Sequence, residues 1–232
     1  LDANRALAAG AIGALARTDD GGRTWSRVES GTTDSLFAID AVDAQRVWVA
    51  GDFGLVLRST NGGTSWTPLD TGSVEPLFGI DFIDAGNGWA VGADGVILRT
   101  TDGGGSWATQ ASGTDIGIND VSFVDTSNGW VVGNGGLLLR TRDGGATWVP
   151  QDSQTTDSLF GIDCVDASIC FAVGGEPDAN EPLQSILRTF DGGENWQPLL
   201  TADEPLFKVF ALDAQRVWTV GDNGTILVTA NG

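Results

Sequence analysis

The chain has no histidine, no tyrosine and no methionine, and among its 232 residues it has two cysteines and one lysine. Without imidazole there is no side chain whose ordinary titration falls near neutral pH, and no histidine ligand for a metal. Without tyrosine there is no phenolic nucleophile. Two isolated cysteines are too few for a zinc or iron–sulfur site. No apolar run approaches the ~20 residues of a membrane-spanning helix. Positive charge is scarce as well: 12 basic residues face 31 acidic ones, for a formal charge of −19. That balance disfavours nucleic acid and anionic lipid as partners. It reads as a soluble, self-repelling surface, with a basic partner as the alternative. The chain begins at Leu1, which leaves a removed leader, anchor or tag open.

Glycine is abundant, at 34 residues, while hydrophobic residues make up 41 %. This suits a turn-rich all-β protein rather than a disordered linker. The glycines are not scattered. RTTDGGGSW at 99–107 has close copies at 17–25, 58–66, 140–148 and 188–196, and VTANG at 228–232 begins a sixth. The closing tryptophans, Trp25, Trp66, Trp107, Trp148 and Trp196, step by 41, 41, 41 and 48 residues. A second set, Trp48, Trp89, Trp130 and Trp218, keeps the same period, with Phe171 in the gap. Asp2, Asp43, Asp84, Asp125, Asp166 and Asp213 each open a short turn.

One repeat therefore reads as four short strands separated by Gly and Asp/Asn turns: LFGIDFID, GWAVG, VILRT and SWATQ. A period near 41 with four strands predicts a β-propeller blade, stable only when stacked on neighbours. The fold expected is all-β, a single propeller domain over 1–232 made of about six four-stranded antiparallel blades. The second-strand tryptophans should fill the layers between blades. First strands are expected near 36–41, 77–82, 118–123, 159–164 and 206–211, for 22 strands in all. The first blade then lacks its innermost strand and the last its outermost. A ring with two three-stranded blades, a longer natural chain and a seven-bladed parent all stay open.

The nine-residue box looks like a site and reads better as a joint. Asp20, Asn61, Asp102, Asp143 and Asp191 would accept bonds from nearby backbone amides, and the glycines supply positive φ. Asn61 can hold such a turn but cannot do acid–base chemistry. The arginines at the head of the box, Arg17, Arg58, Arg99, Arg140 and Arg188, carry two readings. Each pairs with a carboxylate, for which the first-strand Asp40, Asp81 and Asp163 are the natural partners, or the five form a docking ring for a partner's carboxylates. Cys164 and Cys170 flank a hairpin turn and suit a cross-strand disulfide, which suggests an oxidising compartment; two buried thiols are the alternative. Repeat five carries an insertion within 176–184, whose Glu176, Asp178 and Glu181 form a solvated acidic loop, a partner contact or, last, a metal site.

T-x-D-x-G-x-T-W at 18–25 and 141–148 resembles the Asp-box, or sialidase-type BNR, repeat. The whole 41-residue unit, with L-F-G-I-D-F-I-D, G-W-A-V-G and I-L-R-T-x-D-G-G-x-S-W, resembles the photosystem II stability/assembly factor-like propellers along essentially all of the chain. The resemblance implies an exported protein, lumenal in organelles and periplasmic or extracellular in a bacterium, with no cofactor and no reaction. It implies docking on a membrane protein complex such as a photosystem or reaction centre, through an arginine-lined surface on a seven-bladed ring. The function expected is thus a non-catalytic scaffold, with no metal and no membrane insertion of this segment. A generic bacterial surface propeller is the alternative. A sialidase-like glycosidase ranks below both, because such enzymes use a Tyr nucleophile that this chain lacks.

Overall fold

The computed structural model describes residues 4–175, 186–200 and 204–230. The insertion, with Glu176, Asp178 and Glu181, lies outside the described residues. Within them the chain forms 22 strands, four single-turn 3-10 elements and no α-helix. The fold is an all-β propeller of six antiparallel blades. The chain divides into two compact units, residues 1–110 and 111–232, and each holds three of these sheets.

In unit 1 the first sheet is β1 (Ala6–Gly10), β2 (Ala14–Thr18) and β3 (Ser26–Glu29). The second is β4 (Leu36–Ala41), β5 (Val47–Gly51), β6 (Val56–Ser59) and β7 (Thr67–Leu69). The third is β8 (Leu77–Phe82), β9 (Gly88–Gly92), β10 (Ile97–Thr100) and β11 (Ala108–Gln110). Unit 2 opens with β12 (Ile118–Phe123), β13 (Gly129–Gly133), β14 (Leu138–Thr141) and β15 (Val149–Pro150). It continues with β16 (Leu159–Cys164), β17 (Cys170–Gly174), β18 (Ile186–Thr189) and β19 (Gln197–Leu200). It ends with β20 (Leu206–Ala211), β21 (Val217–Gly221) and β22 (Ile226–Thr229). The strands of every sheet lie in chain order, joined by short turns. The two three-stranded sheets are the first and the last.

The packing follows from the repeat. Leu36, Leu77, Leu159 and Leu206 open their strands fully buried. β5, β9, β13 and β17 are buried along their whole length, so their tryptophans, or Phe171, fill the layers. Trp48 stacks on Phe82 of the following sheet, ring centres 3.8 Å apart, and Phe82 meets the edge of Trp107 at 6.0 Å. The Trp48 indole N–H also donates to the carbonyl of Gly103 in that sheet, at 3.1 Å. Unit 2 repeats the bond from Trp130 to Gly192, at 3.2 Å. Each such tryptophan removes on the order of 200 Å² from water, which makes the seam between sheets the main source of cohesion.

One register position is filled in two ways. Phe82 lies across from Gly88 and Phe123 across from Gly129, and a Cβ on either glycine would come 2.4 Å from the opposing ring. At the same position of the fifth sheet stand Cys164 and Cys170, joined as a disulfide with Cα atoms 4.0 Å apart. A ring over a glycine and a covalent bridge occupy one place in the blade.

Candidate functional site

The repeated box is a network closed on itself. In 99–107, Thr100 Oγ1 donates to Asp102 Oδ1 at 2.8 Å and accepts the Gly104 N–H at 2.8 Å. Asp102 then accepts the Ser106 N–H at 2.9 Å and the Ser106 hydroxyl at 2.8 Å. Gly103 and Gly104, at φ +74° and +91°, make the turn that brings these groups together. Asp20 does the same with Thr18 and Thr24, Asp143 with Thr141 and Thr147, and Asp191 with Thr189 and Asn195. Asn61 holds Ser65 with its carbonyl as acceptor and its amide as donor.

These bonds favour the ionised carboxylate. The Thr24 hydroxyl holds Asp20 down to about 2, the Ser106 amide and hydroxyl hold Asp102 there, and Asn195 does so for Asp191. Asp143 is lowered by the same kind of bonds, first from the Thr147 hydroxyl. A carboxyl group with such a pKa has no proton to give near neutrality. Asp43 and Asp213, in the turn after the first strand, also sit at about 2, gripped by the guanidinium groups of Arg46 and Arg216.

Four of the five arginines lie on the third strand of their sheets, in register with the second-strand aromatic: Arg58 with Trp48, Arg99 with Trp89, Arg140 with Trp130, Arg188 with Phe171; Arg17 lies on β2 opposite Leu7. The guanidinium of Arg99 lies 5.4 Å over the Trp89 ring and that of Arg140 5.0 Å over Trp130. Arg188 instead covers Phe190, at 4.3 Å. Arg58 Nη1 donates to the Gly103 carbonyl at 3.2 Å and Arg140 Nη2 to that of Ala167 at 3.3 Å, each in the following sheet. Burial, helped by the neighbouring Arg142, lowers the pKa of the Arg140 guanidinium. Arg17 pairs with Asp19 and donates to Thr64 Oγ1 at 2.7 Å.

The expected partners are engaged elsewhere. Asp40 accepts the Phe82 N–H and Asp163 the Ala211 N–H, both at 2.7 Å and both in the next sheet. Burial raises the pKa of both carboxyl groups. Where Asp40 and Asp163 accept these backbone amides, Arg58 and Arg140 reach a carbonyl and Arg99 and Arg140 cover a tryptophan ring.

Sequence reasoning missed a second set of residues. Every first strand slips register after its first residue, so the second residue bulges out of the ladder. Four of the five bulged residues are aromatic: Phe37, Phe78, Phe160 and Phe207. Phe37 and Phe207 are 43 % and 44 % exposed. Phe37 meets Phe78 edge-to-face at 5.5 Å in unit 1, and Phe160 meets Phe207 at 5.7 Å in unit 2. Beside the second pair, Lys208 bridges to Asp120 at 2.8 Å. The fifth bulged residue, Asn119, donates to the Leu159 carbonyl at 2.8 Å. The repeated Leu-Phe dipeptide was the available signal. Part-exposed aromatic pairs, the second with a charged pair beside it, can hold an apolar segment of a partner, whereas the carboxylates in the turns are committed to structure. No group of three or more metal-ligating side chains occurs among the described residues.

Known structures share this architecture. A structure titled YCF48 bound to D1 peptide superposes with a TM-score of 0.75 at 20 % identity, over 100 % of this chain and 76 % of that one. YCF48 from Cyanidioschyzon merolae gives 0.74 at 20 %, over 97 % and 79 %. The GH74 xyloglucanase from Xanthomonas campestris gives 0.75 at 14 %, over 98 % of this chain and 43 % of that one. At such identities these likenesses speak to the fold alone. No curated protein sequence matches the chain. The family model described as photosynthesis system II assembly factor YCF48 matches over residues 69–149 and 110–232, and with most of its length so matched the chain belongs to that family.

Proposed function

We propose that this chain is a non-catalytic docking propeller, one domain over 1–232, that serves the assembly of a photosynthetic membrane complex. It acts after export, on the periplasmic or lumenal side, and its partner is a protein of a photosystem or reaction centre. The observation that carries this reading is the family match over residues 69–149 and 110–232. The relative whose structure is titled as bound to D1 peptide favours a peptide segment of a photosystem protein as the ligand. Each aromatic pair, Phe37–Phe78 in unit 1 and Phe160–Phe207 in unit 2, is assigned by itself as a surface for such a segment. Arg17, Arg58, Arg99, Arg140 and Arg188 serve the blade joints first; all but the buried Arg140 are part-exposed and are proposed as a secondary contact. Glu176, Asp178 and Glu181 remain proposed partner contacts of the insertion.

The test is co-purification from solubilised native membranes of the source, with Phe37→Ala and Phe207→Ala variants alongside. Recovery with a photosystem or reaction-centre complex, lost in the variants, supports the reading. A chain found free or bound to the cell surface sinks it and favours a generic surface propeller. The GH74 neighbours motivate a second reading, a glycoside hydrolase. Turnover of a xyloglucan or aryl-glycoside panel by the purified chain would favour it over the scaffold.

A further inference from the structure

In the turns β1–β2, β5–β6, β9–β10, β13–β14 and β21–β22, one residue takes the left-handed backbone: Ile12, Phe53, Asp94, Gly135 and Asn223. Glycine, aspartate and asparagine tolerate that conformation. An isoleucine or a phenylalanine crowds its own backbone there, yet Ile12 and Phe53 both sit at φ +57°. Both belong to unit 1. Their side chains are not buried in exchange: Ile12 is 74 % exposed and Phe53 72 %. Strain and bare apolar surface coincide in the same two residues, and strain of this kind gathers where a protein grips a ligand.

The turns that carry them are firmly built. Gly13 and Gly54, the next residues, lie under the carbonyls of Thr32 and Ser73, where a Cβ would come within 2.0 and 2.1 Å. The Asp52 N–H donates to the Ser35 carbonyl at 3.0 Å, and the Asp52 carboxylate accepts the Ser35 N–H at 3.1 Å. The Thr71 hydroxyl donates to the Gly54 carbonyl at 2.7 Å. These bonds also choose the neighbours. Val74 follows Ser73 and is exposed, and the part-exposed Phe37 stands two residues past Ser35. Ile12, Phe37, Phe53 and Val74 thus share one end of the unit 1 sheets. Charge is sorted along the same direction. The segments at this end, 10–14, 29–36, 51–55, 69–77 and 92–96, carry Glu29, Asp34, Asp52, Asp70, Glu75 and Asp94 and no lysine or arginine. Arg17, Arg46, Arg58 and Arg99 lie toward the opposite end of their sheets.

We propose that this end of unit 1 docks a protein segment whose apolar side chains are flanked by lysine or arginine. Ile12 and Phe53 are the anchors that enter among the apolar side chains, and the acidic rim takes the basic flanks. Anionic lipid headgroups would be repelled by the same acids. A second copy of this chain would set the rim against itself. The inference rests on the docking reading and adds to it two anchors and the charge of the segment they hold.

The test combines Ile12→Asn with Phe53→Asn, which copies the residue at Asn223, keeps the net charge and relieves the backbone. This double variant is expected to melt at or above the parent temperature. In co-purification from solubilised native membranes it should recover about tenfold less partner than the parent. Recovery by the parent should fall as salt rises. A photo-crosslinking benzoylphenylalanine in place of Phe53 should join to a segment that has lysine or arginine beside apolar residues. If the parent recovers no partner, the docking reading fails and this proposal with it. If the double variant recovers as much as the parent, or the crosslinked segment is acidic, this proposal alone fails. Crosslinks to lipid or to a second copy overturn it as well, in favour of a membrane or a self-association surface.

Discussion

The second strands of the blades share one sequence pattern and differ in burial. VWVAG, GWAVG, GWVVG and CFAVG, in β5, β9, β13 and β17, are buried at every residue. ALAAG in β1 alternates between exposed and half-buried, and VWTVG in β21 leaves Trp218 37 % exposed. The interior strands have a partner on both edges; among the described residues β1 pairs with β2 alone. Hydrophobicity makes a strand able to be buried, and its neighbours decide whether it is.

Substitutions at matched positions should expose this contrast. The largest effect is expected at the tryptophans. Trp48→Ala empties a fully buried site between two sheets and should cost about 3–5 kcal/mol. Trp218→Ala should cost less than half as much, because part of that ring already faces water. Urea denaturation of both variants checks the pair, and equal losses would break the comparison.

Glycines come next. Gly92→Ala drives a Cβ to 1.9 Å from the Pro76 carbonyl and should cost roughly 1–3 kcal/mol or more. Gly10→Ala enters open space and should stay within about 0.5 kcal/mol of the parent. Thermal melts of the two variants measure the difference.

The disulfide closes a separation of only six residues, so reduction should cost about 2 kcal/mol by the loop-entropy relation. Denaturation with and without reductant tests this, and global unfolding on reduction would show that the bridge carries more than its loop.

The smallest effect is electrostatic. Asp20, Asp43, Asp102, Asp191 and Asp213 sit at about 2 in the folded chain against an ordinary 3.8. Depressed carboxylates contribute stability that is complete above 3.8 and is lost as pH falls toward 2. Asp40 and Asp163, raised by burial, act in the opposite sense and stabilise as they protonate, before the turns weaken. Stability should therefore hold or rise slightly on first acidification, then fall between about 4 and 2. Asp102→Asn, which copies the box that already carries Asn61, should flatten the acid limb, and melting temperature against pH reads it out.

Much of the blade was legible. The spans of the first strands follow from LFGID-type runs and their turns, and the observed strands fall on them. The 22 strands found among the described residues, three in the first sheet and three in the last, follow from the same period. The box was recognisable as a joint because Thr, Asp, Gly and Ser lie within eight residues and can satisfy one another locally. The arginines were not legible. Their partners, the ring across the strand and a carbonyl one sheet away, lie about 10 to 45 residues distant. Nor was the exposure of Phe37 and Phe207, since a bulge exists only relative to the strand opposite and moves its side chain out of the face that alternation predicts.

Where bonds close within a few residues, as from Thr100 through Asp102 to Ser106, local chemistry suffices, and the turn, its ionisation and the period that spaces it are properties of the chain alone. Where a group must find its partner in another sheet, as Asp40 finds Phe82 and Trp48 finds Gly103, the outcome waits on assembly. The burial of β1 belongs to the second kind: ALAAG is written like its buried relatives, and only the stacking of sheets decides how far each is covered.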